Sequence, residues 1–501
     1  MNISIVIIGS FLVLAIILGL FARKGQDMDM EQWAVGGRSF GTIFIFVLLA
    51  GEIFTTFTFL GATGFTFSSG MSAIYVFNCF FFIVAYWILP PIWKYSKEQK
   101  LLSQSDFYVK KYDSTTLGVI VAIISIIAII PYLIVQLKGL GIIVSEASYG
   151  AISPNVAIFI GVLSVTFYVI ISGIRGSAWT AIIKDIMILA VIVFMGIYLP
   201  MHYYGGFESM FKAIDKEKID FLTLPDSGLS TTWFITTTIM LGVSYYMWPH
   251  MHTSVYASKS AKSIRWTAAT MPIYSTILIF ALFIGFAATL QVTDLGGAST
   301  DLVLFKFAKM SFDPWLVGFI GAAGALAALV PSSLLLTSAA TIVANNVYKV
   351  WKPKTTDQQL ANITRIFVPI IAIVALYGTF NGGKTISTLY LMAYSLMAQL
   401  FPALFFSLFK KNPVTLPGAI VGMVSGVAMV AYLTITNTTI GDLFPSFPQV
   451  LKDFDVGLVV VILNIVITLA VSAFTRNYKA VSKAEREESV VRNESLEVVK
   501  E

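Results

Sequence analysis

Long apolar runs alternate with short polar connections along the whole chain. Thirteen runs reach the roughly 20 residues that a helix needs to cross a ~30 Å hydrocarbon core. They fall near 3–22, 41–66, 73–93, 117–145, 154–174, 178–200, 231–252, 266–291, 315–347, 361–380, 386–409, 416–436 and 456–475. Two of them are interrupted. The second carries "GEIFTTFTFLGATGF" (51–65), and its Glu52 is the one charged residue between Arg38 and Lys94. The seventh, "FITTTIMLGVSYYMWPHMHTSVYASKS" (234–260), combines Gly242, a Tyr-Tyr pair and Pro249 beside His250. A lipid-facing helix keeps its backbone bonded to itself and needs no Gly or polar cluster at mid-depth. Each interrupted run opens a set of five spans, 2 to 6 and 7 to 11, and an odd number per set inverts the second half. Paired interruptions at matching positions of two inverted halves point to a transporter site; the plain alternative is two kinked helices.

Composition agrees with this reading. The 501 residues are 57% hydrophobic and 12% charged, with a mean hydropathy of +0.82, whereas soluble domains carry about 25% charged residues. Cys79 is the single cysteine, so disulfide frameworks and cysteine metal sites are excluded. The net charge of +6 is distributed as topology and does not suggest nucleic acid. Residues 94–113 carry five Lys against three acids; Lys259, Lys262 and Arg265, then Lys349, Lys352 and Lys354, then Lys410 and Lys411 fall on the same side. The opposite connections, 205–221 and 293–305, are acidic or nearly bare. By the positive-inside rule the N-terminus is outside and the polar tail 476–501 inside. The first run is read as a span rather than a cleaved leader, because it lacks a basic start and is followed by Arg23 and Lys24. One transmembrane domain is expected over 1–475, with its core at about 40–410.

Several stretches resemble the sodium:solute symporter family: "EQWAVGGRSFG" (31–41) leading into "LLAGEIFTTFTFLGATG" (48–64), "LPPIWKYSKEQKLLSQSDFYVKKYDS" (89–114), "VIISGIRGSAWTAIIKD" (169–185) and "SSLLLTSAATIVANNVYK" (332–349). The "GEIFTTFTFLG" and "MWPHMH" strings are most similar to the branch with bacterial monocarboxylate permeases. The resemblance implies an all-α membrane protein of the leucine-transporter fold, with spans 2 to 11 as an inverted five-plus-five core, in the plasma membrane of a bacterial-type cell. It also implies a sodium site built from backbone carbonyls at Gly51 and Phe54 and from the ninth span, where Ala327, Ser332 and Ser333 are the candidates. The chain departs from the family there. The usual hydroxyl pair falls on Val330 and Pro331, a family Asp falls on Ala181, and a family Gln falls on Lys184. Either Lys184 snorkels with Asp185 to the inner surface near Arg175, or its ammonium takes sodium's place.

Glu52 has two readings: a protonated carboxyl bonding freed backbone, or a proton carrier, as mid-membrane ionisable residues are by default. For substrate, Thr55, Thr56 and Thr58 offer hydroxyls, and Gln136 is a polar group within "IIPYLIVQLKGLGII" (129–143). The family likeness turns Tyr246, Trp248 and His250 to the same cavity. His250 and His252, two residues apart, project to different helix faces and do not make a metal site. The expected activity is cation-coupled symport, with H+ or Na+, of a small organic solute of the monocarboxylate kind. Amino-acid or vitamin symport, or solute sensing, are the alternatives. No enzyme chemistry, cofactor, nucleic acid or obligate protein partner is expected; the partners are the solute and the bilayer. Single cysteines in place of Asp215 and Ala480 are expected to react with an impermeant maleimide from opposite sides of the membrane; labelling of both from one side overturns the topology.

Overall fold

The computed structural model describes residues 3–23, 25, 29–77, 80–381 and 384–476. Lys24, Cys79 and the tail from 477 on, all part of the sequence reading, lie outside the described residues. The described chain is helical throughout, with no β-strand; an isolated parallel bridge joins Phe40 to Ser258. Eight helices are long and apolar enough to cross a membrane, and two bent pairs, Phe57–Val76 with Phe81–Glu98 and Ile386–Ala398 with Phe401–Ser407, raise this to ten. The thirteen predicted runs map onto fewer candidate spans for three reasons. Runs 41–66 and 73–93 share one bent pair, Phe57–Val76 with Phe81–Glu98. Runs 154–174 and 178–200 follow one another within Pro154–Tyr204, whose two halves meet at a kink at Gly173. The run at 231–252 is divided into Thr231–Ser244 and Pro249–Tyr256, neither long enough to cross alone.

The helix Pro314–Ile342 is the axis of the bundle. Every residue from Ile320 to Ile342 is buried, as expected of a helix apolar on all sides. It packs against the first helix, Ile3–Arg23, and against Thr115–Ala147 and Pro154–Tyr204. The first helix is the opposite case: only 11% of its apolar window is buried, so its outer face meets lipid.

Local sequence explains each break. Helix Thr42–Ala50 stops at Gly51 and resumes as a widened turn, Phe57–Gly61, that continues into Ala62–Ser69. In the seventh run Pro249 lacks an N–H and clashes with a helical predecessor, so Trp248 is extended at φ −73°, ψ 135°. Pro154–Tyr204 turns at Gly173, where φ is +52° and ψ −146°. That backbone region belongs to glycine, and an added Cβ would lie 2.5 Å from the Trp33 carbonyl oxygen. Gly173→Ala is expected to cost about 1–3 kcal/mol, read as a lower thermal midpoint in detergent; an unchanged midpoint would show that the turn is not required.

Candidate functional site

The polar groups of the site gather where the second run is broken. Its freed backbone is satisfied from three directions. Within the run, the Thr55 hydroxyl accepts from the Phe57 N–H at 3.2 Å, and the Thr58 hydroxyl donates to the Ile53 carbonyl. From helix Thr115–Ala147, Gln136 Oε1 accepts from the Thr56 hydroxyl at 2.7 Å and from its N–H at 3.4 Å. From helix Pro154–Tyr204, the Lys184 ammonium donates to the carbonyls of Gly51 at 2.9 Å and Phe54 at 3.1 Å.

Lys184 is fully buried and points inward. Its counter-charge is the neighbouring Asp185, with Nζ and Oδ1 at 2.6 Å. Gly51 has no room for a side chain: a Cβ there would stand 2.8 Å from the Val47 carbonyl and 3.4 Å from Lys184 Nζ. Beside this cluster Val47, Ala181 and Val330 pack together as a small apolar group. The Ser332 hydroxyl donates to the Ala328 carbonyl at 2.7 Å, and that of Ser333 contacts the Val330 carbonyl at 2.6 Å and the Ser177 hydroxyl at 2.7 Å. Both are thus engaged with their own helix. Ala327 is buried one turn earlier, and Pro331 has no N–H to offer its carbonyl.

Glu52 faces the other way. Its Oε2 lies 3.1 Å from His250 Nε2 and 3.3 Å from the Tyr132 hydroxyl. Tyr132 packs on Trp248 with ring centroids 4.9 Å apart, and Trp248 meets Tyr394 edge-on at 5.1 Å. The break thus brings together Gly51, Glu52, Phe54, Thr56, Gln136, Lys184, Trp248 and His250. It leaves Ser332, Ser333, Thr55 and Thr58 bonded to backbone. Tyr246 packs edge-on against Tyr245 at 4.9 Å, and it is Tyr245 whose hydroxyl reaches the Leu49 carbonyl of the second run at 3.4 Å.

Tyr132, Tyr390 and Tyr394 were not singled out from the sequence. Tyr132 carried a usable signal, since it lies four residues before Gln136 and therefore on the same helix face. Tyr390 and Tyr394 share that spacing, with ring centroids 4.3 Å apart. Their helix, Ile386–Ala398, also supplies Leu391 and Ser395 to an open cleft of about 710 Å³ walled by Trp233, Lys384 and Asp455.

A bundle of apolar helices interrupted around buried polar groups has the build of a membrane transporter. The chain belongs to the sodium:solute symporter family, which it matches over residues 33–426. It is a symporter and not an enzyme. The uncharacterised symporter YhjB of Bacillus subtilis is 54% identical over 482 residues, 96% of this chain and 99% of that protein. A monocarboxylate transport permease of Rhizobium johnstonii is 27% identical over 438 residues, 84% of this chain and 87% of that one. In fold, the chain is similar to a Na+-coupled sialic acid symporter solved in a substrate-bound outward-open state: TM-score 0.77, 16% identity, covering 94% of this chain and 98% of that one.

Removing one member of a buried ion pair strands the other, at a cost of about 3–5 kcal/mol. Lys184→Met is therefore expected to lower the thermal midpoint clearly, and Asp185→Asn added to it to recover most of the loss. A single variant as stable as the wild type would show that the pair does not hold the break.

Proposed function

We propose that the protein is a proton-coupled symporter of a small monocarboxylate. The observation that carries this reading is the Lys184 ammonium, bonded to the two carbonyls, Gly51 and Phe54, that the family likeness assigns to sodium. Like charges 4 Å apart repel by roughly 4 kcal/mol even at an effective dielectric of 20. A fixed ammonium there leaves sodium without a place, and the surrounding side chains add no compensating oxygen cage: Ala181 and Val330 are apolar and the two serine hydroxyls bond elsewhere. The proton becomes the coupled ion, and the buried Glu52, set between His250 and Tyr132, is its carrier at the substrate.

The monocarboxylate part draws support from the Rhizobium relative's name and from the hydrogen-bond donors around Glu52. The architecture that goes with this reading is thirteen spans with an inverted five-plus-five core at spans 2 to 11, N-terminus outside and C-terminus inside. It is supported by the two interrupted runs and by the turn at Gly173, which divides the long helix where two spans are expected.

Purified protein in vesicles separates the readings. Uptake of labelled lactate or pyruvate is expected to follow an inward proton gradient and to ignore a sodium gradient; Glu52→Gln is expected to abolish proton-driven accumulation. Sodium-driven accumulation that survives Glu52→Gln and is indifferent to pH would overturn the coupling. Binding without accumulation would instead favour a sensor.

A further inference from the structure

Four buried polar atoms around Tyr132 have no hydrogen-bond partner or have capacity to spare. Among the described residues, Gln136 Nε2, Trp248 Nε1, His250 Nδ1 and Glu52 Oε1 bond to nothing, while His250 Nε2 has only its ionic contact with Glu52, and all four residues are at most 3% exposed. Such atoms are rare in folded proteins because each costs its full desolvation. Together, on packed neighbouring side chains, they describe the missing ligand.

The orientation of Gln136 is settled by its partner. The Thr56 N–H can only donate, so the amide oxygen must face it, and the amide NH2 is left pointing elsewhere as a pure donor. Trp248 Nε1 is likewise only a donor. Gln136 lies one helical turn from Tyr132, against which Trp248 packs at 4.9 Å and which bonds Glu52. The donors and the Glu52–His250 pair therefore share one neighbour, Tyr132. A group with oxygen acceptors and no proton to give belongs on the donors: a carboxylate. The Glu52–His250 pair presents Oε1 and Nδ1, one acid and one imidazole nitrogen, and can satisfy either a hydroxyl or a carbonyl oxygen according to where the proton sits. The Trp248 and His250 rings, one from each pole, have centroids 5.7 Å apart, which suits only a short molecule.

We infer that the site takes a short 2-hydroxy or 2-oxo monocarboxylate, its carboxylate held by Gln136 and Trp248 and its 2-oxygen by Glu52 and His250. The inference rests on the symport reading above and deepens it. An ionised Glu52 beside the bound anion would repel it, so the anion is accommodated when a proton arrives with it. A zwitterion is the poorer fit: its ammonium would need acceptors, where three of the four free atoms are donors or can be, and the Tyr390 ring face is already covered by Phe57 at 3.8 Å.

The test is uptake into vesicles of lactate, pyruvate, propionate and proline, by the wild type, Gln136→Ala and Trp248→Phe. Lactate and pyruvate are expected to be carried, and propionate roughly tenfold less well or worse, because it leaves the Glu52–His250 pole unpaired. Gln136→Ala is expected to raise the KM for lactate roughly tenfold or more while maximal rate falls less; Trp248→Phe, which keeps an aromatic ring, should do the same where Gln136→Ala does not fold. Propionate carried as well as lactate, a preference for proline, no carriage of either 2-oxygenated acid, or an unchanged KM in the folded variants overturns the assignment. Sodium-driven lactate uptake would overturn the coupling and leave the substrate assignment standing; proton-driven proline uptake would do the reverse.

Discussion

Inside a bilayer no water is at hand to bond a freed carbonyl or N–H, so an interrupted helix must be completed by side chains. That requirement organises this protein. At the first break the carbonyls of Gly51 and Phe54 are completed by an ammonium, the Thr56 N–H by an amide oxygen and the Phe57 N–H by a hydroxyl. At the second, the Met247 carbonyl takes a hydrogen bond from Gln104, whose own oxygen accepts from Ser125 at 3.2 Å. Each break is thereby pinned by helices distant in sequence, and the pins decide which helices meet there.

Choosing an ammonium for the first break has consequences for charge. A buried Lys needs a counter-ion, and Asp185 supplies it from the next position of the same helix. Consecutive helical residues point about 100° apart, so the two side chains must bend toward one another to meet at 2.6 Å. The pair is neutral as a unit, and Ala181, one turn before Asp185, packs against Val47 and Val330. Ala181, Lys184 and Val330 thus meet at one place, the end of helix Thr42–Ala50, where Lys184 holds the Gly51 carbonyl.

Much of this was legible in the sequence. Apolar runs of spanning length, the isolated acid at 52, the Gly and Pro interruptions and the unusual Lys184 all appear as local departures from an otherwise uniform pattern. The direction of Lys184 was not legible, because snorkelling outward and reaching inward use the same residue types; packing against the second run decides it. The local bonding of the Thr run was not legible either. A hydroxyl at mid-membrane reads as a ligand, but Thr55 and Thr58 bond the very backbone that their own segment leaves open. Tyr390 and Tyr394 were hidden by commonness: tyrosines are frequent in this chain, 21 in all, and only the fold shows which of them surround Tyr132. At Gly173 the helix is broken between the two runs that hydropathy separates, 154–174 and 178–200.

On the symport reading proposed above, the first break also joins substrate and ion chemistry without a long path between them. Five residues, Gly51 to Thr55, turn their backbone and side chains to different helices. The carbonyls of Gly51 and Phe54 meet Lys184 on one side, while the Glu52 side chain meets Tyr132 and His250 on another. Carbonyl 51 and side chain 52 are separated by a single peptide unit, which is planar and stiff. A change in what Glu52 bonds therefore has to be taken up by rotation of the backbone that Lys184 holds. The Glu52–Tyr132 and Thr56–Gln136 contacts, four residues apart on both partners, act as two rungs between the same segments, so the rotation bears on the Gln136 amide as well. What Glu52 bonds, how Lys184 holds the break and where the Gln136 amide points are linked here by covalent adjacency rather than by relay.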